Sequence, residues 1–379
     1  MVSAKQLEGG YSFVKASSGN EQLKFHIVPT KGTKVVLYQL TASLARGLAA
    51  CDGLSINEEA KQSLLGALLL AQWEDCSSKG RFDYDVTSCE TKVICGGKKF
   101  FAQLNEKWNS NSPTPIENQV IQPLGPSTRK NVKIHREDIL LCIARGDNES
   151  SVLISSALAP QDGTLVVINP NPIEYGHVYL VPYDFCHQVK MLDKRSLEYI
   201  TQIAVEVADC SFRVFYEYAP LANPVAACFQ ANFFENALPV ELLELAPVYG
   251  NVLDKGVHIC EVTGYPLKTL VFTSNENLKL LITVVMEICS VLEERNAVFS
   301  LLITDCGRKI FLFPQAQSSS AVHLSAWECA GYFIFKKALE FDNTSEDEIS
   351  KILASVSLDD GAFLALKQLC GSIANKLVF

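Results

Sequence analysis

The chain has 379 residues, 48% hydrophobic and 20% charged, which is the balance of a soluble globular protein with length for two domains or one large one. A net charge of −9 argues against a nucleic-acid or anionic-membrane partner, so a phosphate-bearing ligand would need a local cluster of donors. The 13 cysteines show no repeated spacing, no Cys-x-x-Cys pair and no zinc-ligand pattern, which points to free thiols in a reducing, cytoplasmic compartment (nuclear presence left open) and to no metal.

The first ten residues lack the apolar core of a signal peptide, and the longest largely apolar run, Leu64 to Trp73, is shorter than the about 20 residues that cross a bilayer. Residues 1–35 carry few periodic signals and predict a strand or two. Helical spacing predicts one helix from Leu37 to Cys51 and another from Asn57 to Cys76. The second places Leu64, Leu65, Leu68, Leu69 and Trp73 on one broad face, with Ser55 and Glu58 in the form of a capping box. Phe82, Tyr84 and Val86 alternate with Asp83, Asp85 and Thr87, predicting a strand over Phe82 to Ile94. Gly96-Gly97 then turns the chain into a returning strand, Lys98 to Leu104. From Asn105 to Asn131 the sequence has no period and reads as a long connection.

A core begins near Ile139, with strands predicted at Leu140–Ala144, Val152–Ala157, Leu165–Asn169 and His177–Val181. A helix follows over Asp193–Ala208 with Asp193 as N-cap, then strands at Ser211–Tyr216 and Ala227–Phe234. Strand, strand, helix, strand, strand is an antiparallel sheet with a helix on it, an α+β arrangement. The last third repeats the alternation: helix Asn277–Asn296, strands Phe299–Thr304 and Lys309–Phe313 around the turn Asp305-Cys306-Gly307-Arg308, and closing helices Ser325–Phe341, Ser345–Val356 and Gly361–Lys376. Its content resembles a second, degenerate copy of the central unit, although no identity between the halves supports an internal repeat. The expected division is 1–135, an N-terminal helical and hairpin addition; 136–250, the core unit; and 251–379, the degenerate unit with the closing helices.

Three colinear blocks carry a family resemblance. The first is Phe82 to Glu106, with Tyr-Asp-Val-Thr-Ser-Cys-Glu-Thr-Lys-Val-Ile and Phe-Ala-Gln-Leu-Asn-Glu. The second is Pro172 to Pro182, with Pro-Ile-Glu-Tyr-Gly-His-Val. The third is Leu302 to Gln315, with Ile-Thr-Asp-Cys-Gly-Arg-Lys-Ile-Phe-Leu-Phe-Pro-Gln, followed by Trp327-Glu328. Together they resemble the GDP-L-galactose phosphorylase family of the histidine-triad superfamily, related to galactose-1-phosphate uridylyltransferase. The resemblance runs from about residue 64 to the C-terminus. It implies two histidine-triad-like units and cleavage of a GDP-hexose by inorganic phosphate to GDP and a hexose 1-phosphate, on the route to L-ascorbate. It also implies a guanylylated histidine intermediate, no cofactor, and GDP-hexose or a guanine nucleotide as ligand.

The family motif is His-x-His-x-Gln, in which the second histidine is the nucleophile and the glutamine a donor to the phosphate. Here it falls on Ala226-Ala227-Cys228-Phe229-Gln230, and only Gln230 matches. Asp83 and Trp108 stand where the family pattern carries arginines, so two cations that would offset phosphate charge are also missing.

The candidate site residues are therefore Cys228 at the nucleophile position and Gln230, with His177, Asn169, Thr91 and Lys92 as nucleotide-binding candidates. Each has a plainer reading. Cys228, with no cation beside it to ionise the thiol, fits a small buried hydrophobe; His177 a structural strand residue; Gln230 a partner for backbone; and Lys92 a solvated charge. Asp83 with Asp85, and Arg308 with Lys309, read as solvent-facing charges. Two functions of different class follow: a GDP-hexose phosphorylase, or a catalytically inactive paralogue that binds a nucleotide or pairs with an active relative.

Overall fold

The structure is a computed structural model that describes residues 24–27, 34–41, 63–108, 131–134, 136–160, 162–182, 192–218, 229–248, 256–274, 277–316 and 323–378. The first half contains β1 (Lys24–Ile27), β2 (Lys34–Leu40), helix α1 (Leu64–Ser78), β3 (Glu90–Val93), β4 (Phe101–Leu104) and β5 (Asn131–Ile134). Next come β6 (Ile139–Arg145), β7 (Val152–Leu158), β8 (Thr164–Ile168), β9 (Val178–Pro182), α2 (Lys194–Val207), β10 (Phe212–Tyr218) and β11 (Phe229–Phe233). The second half adds β12 (Leu245–Pro247), β13 (His258–Val262), β14 (Leu270–Thr273), α3 (Leu278–Glu294), β15 (Val298–Thr304) and β16 (Lys309–Gln315). It closes with α4 (Ala326–Cys329), β17 (Tyr332–Phe335), α5 (Ala338–Asn343), α6 (Glu346–Ser355) and α7 (Asp360–Val378).

One sheet of 12 strands, in the order β12-β13-β14-β16-β15-β10-β11-β9-β8-β6-β2-β7, carries both halves. Its centre is symmetric in plan. The hairpin–helix–hairpin β8-β9-α2-β10-β11 has strand order 8-9-11-10, and β13-β14-α3-β15-β16 has the mirror listing 15-16-14-13. The two meet through antiparallel pairing of β10 with β15, Val214 opposite Ile303 through Tyr218 opposite Phe299. An antiparallel join between equivalent strands is what a local twofold axis through the sheet produces. The duplication suspected from element order is therefore present in the topology.

The central strands of the sheet are buried on both faces. All five residues of β8 are buried, as are six of the seven in β15, so these strands read as continuous apolar runs. Helices α2 and α3 lie side by side over one face. Asp193 caps α2 by accepting from the Ser196 N–H at 2.9 Å, and Asn277 caps α3 by accepting from the Leu280 N–H at 3.0 Å. On the other face β3, β4 and β17 form a separate three-stranded sheet in which β4 pairs parallel with β17. Among the described residues no helix is long and apolar enough to cross a membrane.

Several elements differ from expectation. Lys34–Leu40, which overlaps the helix expected from Leu37, is a strand inserted between β6 and β7, where cross-strand pairing of Val35, Leu37 and Tyr38 overrides helical spacing. Helix α1 starts at Ser63, whose hydroxyl accepts from the Gly66 N–H, while Ser55 and Glu58 lie outside the described residues. In Phe82–Ile94 only Glu90–Val93 is strand; Asp85 caps a 3-10 turn over Val86–Ser88, although the alternation still sorted buried Tyr84 and Val86 from exposed Asp83, Asp85 and Thr87. Ser325–Phe341 is not one helix but α4, β17 and α5, because Gly331 at φ +99 stops the first and the run Tyr332–Phe335 pairs with β4.

Candidate functional site

His177 and Gln230 face one another from neighbouring strands. Gln230 lies on β11 and pairs with Tyr179 of β9, while His177 immediately precedes β9 at the end of a turn that Gly176 makes at φ +69. His177 is 1% exposed. Its Nδ1 accepts from the Ile173 backbone N–H at 3.1 Å and faces the Asn169 amide at 3.2 Å. Asn169 Oδ1 is itself taken by the Asn171 N–H at 3.0 Å, which turns Nδ2 toward the ring. With Nδ1 an acceptor, the proton sits on Nε2 and is donated to Gln230 Oε1 at 3.0 Å. Burial pushes the His177 pKa down to about 4, so the ring is neutral.

This network decides what each group can do. Both His177 nitrogens are committed, and the ring has no lone pair left to attack phosphorus. Its work is to hold Gln230: with Oε1 fixed, the two Nε2–H donors of the amide point the other way, suited to a phosphoryl oxygen. Trp73 donates to the His177 carbonyl at 3.3 Å, and Trp327 from α4 meets the ring edge-on at a centroid distance of 6.5 Å. The polar pair is thus set in an aromatic frame drawn from both ends of the chain.

Two carboxylates share this side of the sheet. Glu217 of β10 accepts from the Ala326 N–H at 2.7 Å at the start of α4, and burial lifts its pKa to about 7. Glu328 closes a capping box with Ser325, and burial also raises it. Arg213, two residues before Phe215 on the same strand face, is spent on Glu241 at 2.9 Å and on the carbonyls of Ser211 and Phe234. Sequence reading passed over Glu217 and Arg213; their alternation in Phe-Arg-Val-Phe-Tyr-Glu-Tyr marks one strand face but names no ligand.

The structure gathers Asn169, His177 and Gln230 into one hydrogen-bonded group. It takes Lys92 elsewhere: the ammonium donates to the carbonyls of Phe341 and Asp342, capping the end of α5. Thr91 lines a different cavity, on the hairpin side. Cys228, with Ala226 and Ala227, lies outside the described residues. Asp83 is exposed, and its N–H donates to the Pro170 carbonyl at 3.1 Å, so the position where the family pattern carries an arginine abuts the Asn169–Asn171 turn. Trp108 is 9% exposed, under the Lys336 ammonium at 5.6 Å.

Among the described residues the second unit has no counterpart to this group. The transverse row through Gln230 runs to Phe215, Leu302 and Phe311, all on one face of the sheet. The strand equivalent to β11 is β16, and on that face it presents Phe311 and Phe313, both buried and stacked at 6.2 Å. On this one face the first unit presents a polar group and the second, in β16, two stacked phenylalanines.

Two family models match successive parts of the chain: GDPGP1-like, N-terminal domain, over residues 64–232, and GDPGP1-like, C-terminal domain, over residues 239–377. The chain is 31% identical to GDP-L-galactose phosphorylase 1 of Arabidopsis thaliana over 353 residues, which covers 88% of this chain and 78% of that protein. It is 23% identical to GDP-D-glucose phosphorylase 1 of Danio rerio over 343 residues, covering 85% and 94%. Among solved structures, yeast Ap4A phosphorylase Apa2 in complex with Ap4A superposes with a TM-score of 0.53 at 13% identity over 78% of this chain and 98% of that one. That likeness shows the histidine-triad-like fold alone.

Proposed function

The chain belongs to the GDPGP1-like family, whose relatives are named as GDP-hexose phosphorylases, and on that premise we propose that it binds a guanine nucleotide or GDP-hexose beside Gln230 and does not transfer the guanylyl group. One observation carries the reading. The sole motif side chain left in Ala226-Ala227-Cys228-Phe229-Gln230 is the phosphate donor, and the nearby histidine, His177, is hydrogen-bonded through both nitrogens. One phosphate donor is kept, and the nucleophile and two cations are not. A thiol at Cys228 is a poor substitute, since it needs a cationic neighbour to ionise and its sequence neighbours are Ala227 and Phe229. A protein of this kind would hold a GDP-hexose of the class its relatives act on, or pair with an active relative, in the cytoplasm where the ascorbate route draws on that pool.

A second reading, an active phosphorylase, is favoured by the 31% identity to a plant enzyme across 88% of the chain. The purified protein separates the two. With GDP-L-galactose or GDP-D-glucose and phosphate we expect nucleotide binding by calorimetry without phosphate-dependent release of GDP. The double variant Ala226→His/Cys228→His, or free imidazole added to Cys228→Gly, should restore release. Phosphate-dependent turnover by the unmodified protein overturns the non-catalytic reading, and the absence of any GDP binding overturns both.

A further inference from the structure

Away from Gln230, a cleft of about 500 Å³ opens between the β3–β4 hairpin and the far ends of β10 and β11. Its volume falls within the range of about 300–1,000 Å³ usual for small-molecule sites. Its lining approaches Gln230 through Phe233, three residues on along β11, which at strand rise is about 10 Å. The lining is unusual for a nucleotide-binding chain: Glu174, Asp209 and Glu235 supply carboxylates, while no lysine or arginine is among the described residues that line it. Phosphate is therefore disfavoured there.

The carboxylates are also poorly disposed to chelate a cation. Glu174 Oε1 accepts from the Tyr175 N–H and Oε2 from the Tyr332 hydroxyl, each at 3.0 Å. Asp209 Oδ1 accepts from the Ser211 N–H and hydroxyl. Among the described residues no group of three His, Cys, Asp or Glu side chains is placed to hold a metal ion. What remains is a mixture of acceptors and hydroxyls, with Thr87, Thr91 and Ser211 beside them, against ring walls from Phe101 and Tyr332, which stack at 6.3 Å. Gln103, 1% exposed and part of the lining, donates to the Ile173 carbonyl at 3.0 Å but leaves its Oε1 without a hydrogen-bond partner. One buried amide oxygen in want of a donor, carboxylates, hydroxyls and a flat apolar wall together match the vicinal hydroxyls and C–H face of a sugar ring.

We propose that this cleft is a binding site for a neutral hexose, separate from the Gln230 face. It stands independently of the nucleotide reading, because its residues take no part in that group. Thr87, Cys89 and Thr91 come from the Phe82–Glu106 block, so the proposal also gives that block a task.

The test titrates D-glucose, D-mannose and L-galactose into the full-length protein by calorimetry or ligand-observed NMR, with and without saturating GDP. Binding of at least one hexose is expected, unchanged by GDP. Glu174→Gln and Asp209→Asn, which keep side-chain volume, should each weaken it about five- to tenfold, the value of one hydrogen bond. Gln230→Ala should leave it untouched. No hexose binding up to about 0.1 M, beyond any useful affinity, overturns the proposal. So does competition between hexose and GDP, which would make the cleft part of the nucleotide site. Saturation by spermidine or magnesium ion with no response to hexose overturns it as well, assigning the carboxylates to a cation.

Discussion

At His177 burial moves the imidazole from an ordinary value of 6.5 to about 4, and this ties stability to acid. Between those values the unfolded chain takes up a proton that the folded one refuses. The contribution is complete above pH 6.5 and is lost as pH falls through 4, amounting to about 3 kcal/mol. Urea unfolding across this window should show the acid loss, and His177→Gln should remove that slope while lowering stability at neutral pH. Glu217 runs the other way. Its pKa is raised from 4.5 to about 7, so its contribution is present below 4.5 and lost as pH rises through 7. Glu217→Gln, still able to accept from the Ala326 N–H, should gain roughly 2 kcal/mol on the wild type over that rise, the full shift being discounted for the partial exposure of the side chain. The motif frame made Gln230 readable in advance, and the Gly-His turn made His177 readable. That the two would bind each other was not, because the pairing depends on strand register rather than on spacing along the chain.

The elements around the site are tied by a few buried polar links. Arg213 on β10 and Glu241, in the turn that opens the second half, are 4% exposed and half-buried respectively, and Glu241 also accepts from the Leu238 N–H and the Thr304 hydroxyl. Removing one partner strands the other charge, so Arg213→Met or Glu241→Gln alone should cost about 3–5 kcal/mol, and the double variant clearly less than the sum. A denaturant double-mutant cycle measures the coupling. Gly176→Ala is a second case: its Cβ would lie 2.6 Å from Phe233 Cδ2 at a φ of +69, and thermal melts should report a loss of about 1–3 kcal/mol. The strong periodic segments, α2, α3 and the β15–β16 hairpin, could be placed from sequence because local pattern and tertiary role agree there. Lys34–Leu40 and Tyr332–Phe335 could not, since each is made a strand by partners far along the chain. The hexose cleft was equally hidden, being assembled from α1, the β3–β4 hairpin, both ends of the core unit and β17.

For the molecule as a whole, the sealed Phe311–Phe313 face predicts stoichiometry. A twofold pair of such units could hold two nucleotides; this chain should saturate at one guanine nucleotide per molecule, which a calorimetric isotherm reads directly. The topology also sets an order of events. β4 finds its parallel partner only in β17, Phe101 beside Tyr332, and the core unit completes its sheet only when β10 meets β15. A ribosome emits these segments at about 5–20 residues per second, so the hairpin and the β10 edge wait many seconds before their partners exist. During that interval an unpaired strand edge and the bare walls of the cleft are open to other chains. Both pairings therefore wait on segments that leave the ribosome late, so the two halves of the sheet become one body only after β15 and β17 have been made.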